Sequence, residues 1–331
     1  MQIISQNIAE VIEARAAWEL MENYAFVADA WPGWEREDAA KQTLESLPQE
    51  GNAWVLLDGG GWQWLAVSAP LEFDSQVFGR QMARLHPLAH RVAWPEPEAL
   101  AQGKSFLAQV KDAETEAGTQ CLVARTPGRD FLAAQALETI GFRLMDVSVE
   151  WLVSLDALPK RGHLPGGMSI RTWRPGDEDS LESLTAQAMC DLDSYADRFA
   201  MDPRLRINCE EMYHRWVANS LSGEQADQVL ALTQDDEPAG LITLKLPPEK
   251  GPGAGCGWVA INAIAPEHRG KGLYRELLLR GLEWLLKHGA ERARVRTKLS
   301  QQAVIRTWAA LGGRQAYSDC TFHLWLDREK G

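Results

Sequence analysis

The residues best placed for chemistry lie in Ile261–Gly289, which reads INAIAPEHRGKGLYRELLLRGLEWLLKHG. An apolar strand, Trp258 to Ala265, is stopped by Pro266. The cationic turn Arg269-Gly270-Lys271-Gly272 follows, and an amphipathic helix runs from Leu273 to His288, closed by Gly289. Strand, glycine turn and helix start in this order form an anion site. The unpaired N–H groups of a first helical turn and the positive end of its dipole converge there, and glycine lets backbone approach a ligand closely. Arg275, Arg292, Arg294, Arg296 and Lys298 add local positive charge to a chain whose formal charge is −12. A small, phosphate-bearing anion is the expected ligand; a solvated strand face beside a helix is the bland alternative.

The elements that must position this turn are legible around it. A Pro- and Gly-rich stretch, Asp156–Met168, has no periodicity and reads as a linker, dividing the chain into 1–160 and 168–331. In the second part the expected order is a strand at 169–173, helices at 179–190 and 210–221, strands at 228–233, 239–246 and 258–265, the helix at 273–288, a strand at 293–298, a short helix at 303–311 and a strand at 316–326. The polar stretch 191–208 reads as a loop or short helices. In the first part, helices are expected at 7–24, 36–47, 105–117 and 131–140. A hairpin spans Trp54–Leu57 and Gln63–Val67, and strands fall at 120–124 and 142–152. The endings of the two parts match (strand, helix, glycine, strand), so the first reads as a degenerate copy of the second, with two unrelated α+β pieces as the alternative. It lacks a counterpart of Arg269–Gly272 and is not expected to bind phosphates.

Composition excludes several classes. The hydrophobic share of 45% and charged share of 24% are those of a globular protein. No apolar run approaches the about 20 residues of a membrane span. The acidic balance argues against general nucleic-acid binding. Cys121, Cys190, Cys209, Cys256 and Cys320 are scattered and odd in number, so neither a disulfide framework nor a zinc site is expected, and a reducing cytoplasm fits. The seven histidines show no metal spacing; no metal is expected.

A P-loop requires Gly-Lys-Ser/Thr, but Leu273 follows Gly272. A dinucleotide fold places its glycines after the first strand, whereas this turn comes late in its domain. Arg269-Gly270-Lys271-Gly272-Leu273-Tyr274 instead resembles the Arg/Gln-x-x-Gly-x-Gly/Ala signature of the GNAT superfamily of acyl-CoA-dependent N-acetyltransferases, and the strand order of 169–326 is similar to that family's. The resemblance implies a mixed α/β fold in the C-terminal half: a mixed sheet flanked by helices, with the fourth and fifth strands splayed. It implies acetyl-CoA as cosubstrate, a pantetheine arm held by Asn262, Ala263, Ile264 and Ala265, and a pyrophosphate held by the amides of Gly270 to Tyr274 within the cradle of Arg269, Lys271, Gly272 and Leu273. Tyr274 departs from the pattern, where a small residue is usual. The segments Leu71–Gly79, Ala136–Phe142 and Tyr195–Trp216 also resemble, in patches, the dTDP-fucosamine (4-amino-4,6-dideoxygalactose) acetyltransferase group.

Acetyl transfer needs a polarised thioester carbonyl, a neutral amine and a departing sulfur. A backbone N–H near Asn262 or Ala263 is the expected oxyanion donor. For the thiolate, the family places a tyrosine in Asn-x-x-Ala-x-x-x-Tyr. Here Gln301 replaces the amide and Trp308 stands at the tyrosine position, and an indole is a donor only. Tyr317, Tyr195 and Tyr213 are the substitutes considered, Tyr317 being nearest in sequence. Trp62, Trp64, Trp173 and Trp216 are candidates to stack on a sugar or base. The expected function is acetyl transfer to the primary amine of a small molecule, an amino-sugar nucleotide among the options, by direct attack in a ternary complex. A non-catalytic acyl-CoA-binding or scaffolding protein, which Trp308 favours, and a tandem-GNAT aminoacyl transferase, which the acidic charge disfavours, remain open. No nucleic-acid or membrane partner is expected.

Overall fold

A computed structural model describes residues 2–13, 51–58, 61–92, 97–193, 195, 197–249 and 253–326. The chain divides into two compact units, residues 1–148 with 317–331, and residues 149–316. The expected helix at 36–47 and most of that at 7–24 lie outside the described residues.

The first unit contains β1 (Gln2–Asn7), α1 (Ile8–Glu13), β2 (Asn52–Asp58), β3 (Gly61–Pro70), α2 (Glu72–Phe78), β4 (Met82–His90), α3 (Pro97–Glu116), β5 (Cys121–Pro127) and α4 (Phe131–Thr139). Its strands run β1-β2-β3-β4-β5, and the chain's last strand, β12 (Arg314–Trp325), pairs with β5 through Asp319–Trp325. The β2–β3 hairpin falls where the sequence places it. β4 and β5 are parallel from Met82↔Cys121 to Leu85↔Ala124, joined by α3, as parallel strands require a crossover. Trp64 is fully buried, with His90 at 4.7 Å and Phe106 at 6.1 Å between ring centroids. It is therefore a core anchor and not a stacking platform. Gly103 of α3 is small for a reason, since a Cβ there would come within 2.7 Å of the Trp64 ring.

β6 (Arg143–Ser154) leads into the second unit, which contains β7 (Met168–Thr172), α5 (Glu178–Cys190), α6 (Arg198–Met201), α7 (Cys209–Leu221), β8 (Gln228–Gln234), β9 (Glu237–Lys245), β10 (Cys256–Ile264), α8 (Leu273–Lys287), β11 (Arg292–Lys298) and α9 (Gln302–Ala310). Its strand order is β7-β8-β9-β10-β11, with β6 beside β11. β7 to β10 are antiparallel neighbours, whereas β10 and β11 are parallel across α8. Asp235 and Asp236 form the two-residue β8–β9 turn with φ of 49° and 78°, the left-handed conformation that matches hairpin twist. The amphipathic stripe of α8 explains its packing: Leu277, Leu278, Leu282 and Leu285 are buried in one cluster with Ile242, Leu244, Val259 and Val295.

Two expectations are corrected here. Cys190 at the end of α5 and Cys209 at the start of α7 are disulfide-bonded. The 19-residue separation carries no motif, and packing of α5 against α7 brings the two together. The stretch 156–168 is not a free linker, because Gly162 N–H donates to Glu276 Oε2 at 2.7 Å and Arg161 Nε to Glu283 at 3.0 Å, both on α8. Apart from α2, which is inserted between β3 and β4, the order hairpin, strand, helix, parallel strand, helix, strand occurs twice, as β2-β3-β4-α3-β5-α4-β6 and β8-β9-β10-α8-β11-α9-β12.

Candidate active site

β10 and β11 pair in parallel only from Cys256↔Arg292 to Val259↔Val295, although the strands continue to Ile264 and Lys298. A bulge in β10 between Val259 and Asn262, where Ile261 N–H turns to Thr243 Oγ1, accompanies the parting. Beyond it, β10 pairs with β9 on one edge alone, through Asn262↔Ile242, Ala263↔Leu241 and Ile264↔Gly240. Ala265 N–H bonds to Ala239 O. By the alternation of antiparallel pairs, Ala263 then faces β9, while Asn262 and Ile264 turn their backbone groups toward the gap. An extended chain could add there as a strand.

A cavity of about 580 Å³ occupies this wedge. It is lined by Ala260, Asn262, Ala263 and Ile264 of β10, Arg296 and Thr297 of β11, His268 to Arg275 without Lys271, residues Ser300 to Val304 and Thr307 around α9, and Ala188, Met189 and Tyr195. Among its described lining residues the charged groups are Arg269, Arg275 and Arg296, with no carboxylate.

The start of α8 shows why two glycines are needed. Gly270 and Gly272 have φ of 74° and 75°, and nothing lies within 4 Å of a Cβ built on either. The requirement is conformational, because L side chains cost about 1–2 kcal/mol in this region, and the open space leaves room for a ligand. Gly272 is the N-cap and offers no side chain to the helix. Arg275 N–H returns to Gly272 O at 3.1 Å, while among the described residues the amides of Gly270, Lys271, Gly272, Leu273 and Tyr274 have no acceptor. Five N–H groups without an acceptor at a helix start, beside Arg269 and Arg275 (the latter also paired with Glu276), suit a diphosphate. Arg269 closes the corner, with Nε donating to Ile264 O at 3.1 Å and Nη1 standing 3.7 Å from an Asp191 carboxylate oxygen.

Of the expected site residues, the fold brings Tyr195, Asn262, Ala263, Ile264, Arg269, Gly270, Gly272, Leu273, Tyr274 and Gln301 to one cavity. Lys271 is exposed, Ala265 is buried with its amide committed to β9, and neither lines the cavity. Tyr317 belongs to the first unit and does not line it. Tyr213 is buried away from the cavity and donates its hydroxyl to Asp197; burial, reinforced by that carboxylate, pushes its phenol well above the ordinary range. Trp308 is fully buried, and its indole N–H donates to the Tyr274 hydroxyl at 3.1 Å. That contact across 34 residues is the feature sequence reasoning missed. Arg296, Ala188 and Met189 were likewise not singled out as site residues; only the cationic alternation of β11 pointed to Arg296. Among the described residues no cluster of three or more His, Cys, Asp or Glu could hold a metal.

Residues 193–312 match the profile of the acetyltransferase (GNAT) family. A comparison with curated proteins finds no match. Among solved structures, the chain is similar to a GCN5-related N-acetyltransferase from Sphaerobacter thermophilus (TM-score 0.65, 16% identity, 98% of this chain and 96% of that one). It is also similar to a tandem GNAT protein from the clavulanic acid biosynthesis pathway (TM-score 0.53, 16% identity, 99% of each chain). A third likeness is to a glucosamine N-acetyltransferase region of a fungal multi-domain β-N-acetylglucosaminidase (TM-score 0.60, 14% identity, 98% of this chain and 38% of that one). At these identities the structural likenesses establish the fold.

Proposed function

We propose that this chain, an acyltransferase whose second unit holds a GNAT acetyltransferase domain, moves an acetyl group from acetyl-CoA to the primary amine of a small molecule. The observation that carries the reading is the row of unpaired amides from Gly270 to Tyr274 beside a parted β10–β11 pair. Those amides, with Arg269 and Arg275, would hold the diphosphate, and the free edge of β10 at Asn262 and Ile264 would hold the pantetheine arm. The Asn262 amide would face the thioester carbonyl as the fixed donor that stabilises developing charge on oxygen. An amine of ordinary pKa about 10.4 must lose a proton before it attacks, so a base or water path is required on the acceptor side.

In this proposal residues 1–160 and 168–331 are two copies of one unit, of which the second keeps the phosphate turn. The acceptor reaches the thioester from the side of Tyr195 and Met189. Calorimetry with acetyl-CoA, followed by free-thiol release over a panel of primary amines that includes amino-sugar nucleotides, tests the reading. Binding with turnover of one amine class supports it, and absence of acetyl-CoA binding refutes it. The burial of Trp308 favours one other reading, an acyl-CoA-binding protein that does not turn over. Tight binding with no thiol release across the panel would select that reading.

A further inference from the structure

Two of the positions at which this chain departs from the expected pattern, Tyr274 and Trp308, touch each other. Trp308 is fully buried on α9, and its indole N–H can only donate. It donates to the Tyr274 oxygen at 3.1 Å, so one lone pair of that oxygen is taken. The phenol's own hydrogen has no acceptor among the described residues, and Tyr274, half-buried, is one of the residues lining the cavity at the start of α8. Ile264, Leu273, Ala303 and Val304 add apolar lining to the same cavity. The result is a hydroxyl fixed by a buried indole, its hydrogen uncommitted among the described residues, on a residue that lines a wedge whose other polar side chains include those of Tyr195, Asn262, His268, Arg296 and Thr297.

The geometry points to Tyr274 as the hydrogen-bond donor to the departing sulfur, with Trp308 as its positioning residue. This rests on the acyl-CoA reading above. In the step, the neutral amine's lone pair forms the new N–C bond and the C–S bond breaks with its electron pair moving to sulfur. The surplus proton on nitrogen leaves to solvent or the acceptor-side base. Tyr274 donates to the thiolate and keeps its proton. Burial raises the phenol's pKa above its ordinary value, which suits a donor that is not itself deprotonated by a thiolate of ordinary pKa about 8.5.

The test needs no acceptor. Coenzyme A is bound to wild type and to Y274F, and its thiol is titrated by ultraviolet thiolate absorbance, with the desulfo-coenzyme A complex as blank. A hydrogen bond to the charged form favours that form, so the bound thiol should titrate about one unit lower in wild type than in Y274F, about a tenfold change in the thiolate-to-thiol ratio. Because Y274F leaves the Trp308 N–H buried without an acceptor, the double variant Y274F/W308F removes both partners. It should reproduce the Y274F titration. Coenzyme A binding to either variant with a wild-type titration overturns the assignment and leaves the acetyltransferase reading standing. Failure of wild type to bind coenzyme A overturns both.

Discussion

Replacing Gly272 by glutamate, with glutamine as its neutral isostere, separates charge from shape at the phosphate turn. Both side chains force a φ near +75° on an L residue, at about 1–2 kcal/mol. Both place their Cβ where no heavy atom lies within 4 Å, so the backbone cost is common to the two variants. What differs is one negative charge. A carboxylate about 4 Å from a phosphate opposes it by about 4 kcal/mol at an effective dielectric constant of about 20, or about a thousandfold in dissociation constant. Calorimetry with acetyl-CoA at low ionic strength, where screening is weak, should show G272E binding about a thousandfold more weakly than G272Q. Added salt should narrow the gap. Equal affinities would mean that no phosphate approaches this turn.

Three further outcomes follow from the fold. Opening the Cys190–Cys209 bond should destabilise the second unit by about 3 kcal/mol through loop-closure entropy, seen as a lower Tm with reductant that is absent in C190S/C209S. Arg171 bonds Asp177 at 2.6 and 3.0 Å and, with burial opposing it, holds the Asp177 carboxyl below the usual range. The pair's stabilisation is then complete above about pH 4 and lost as pH falls through the depressed value. D177N should therefore cost about 2 kcal/mol near neutrality, and the Tm difference should vanish in acid; a pH-independent difference would contradict the pairing. In G103A, helix propensity gains about 1 kcal/mol, but Cβ meets the immobile Trp64 ring at 2.7 Å and overpacking costs about 1–3 kcal/mol. Urea unfolding should show a net loss.

The strand, turn and helix at 256–287 were legible because punctuation residues bound them: Pro266 ends the strand, Gly270 and Gly272 supply left-handed φ, and Gly289, with φ of 90°, closes the helix. β4 was missed because Met82–His90 carries Arg84, His86, Pro87 and His90 and is buried along most of its length, so neither apolar continuity nor alternation marks it. α2 was missed because seven residues give barely two turns of periodicity. At the site, backbone roles could be read from the signature and its spacing, since amides are available whatever the side chain. Side-chain roles could not. Of the three tyrosines weighed as substitutes, Tyr317 is nearest to Trp308 in sequence yet lies in the other unit, while Tyr274 and Trp308 meet only because α8 and α9 flank one wedge.

The most direct measurement is a crystal structure of the protein with coenzyme A. Diphosphate oxygens within hydrogen-bonding distance of the Gly270 to Tyr274 amides, and a pantetheine arm alongside Asn262 and Ile264 between β10 and β11, are the predicted result. Coenzyme A bound in another cavity, or β10 and β11 joined along their full length, would contradict it.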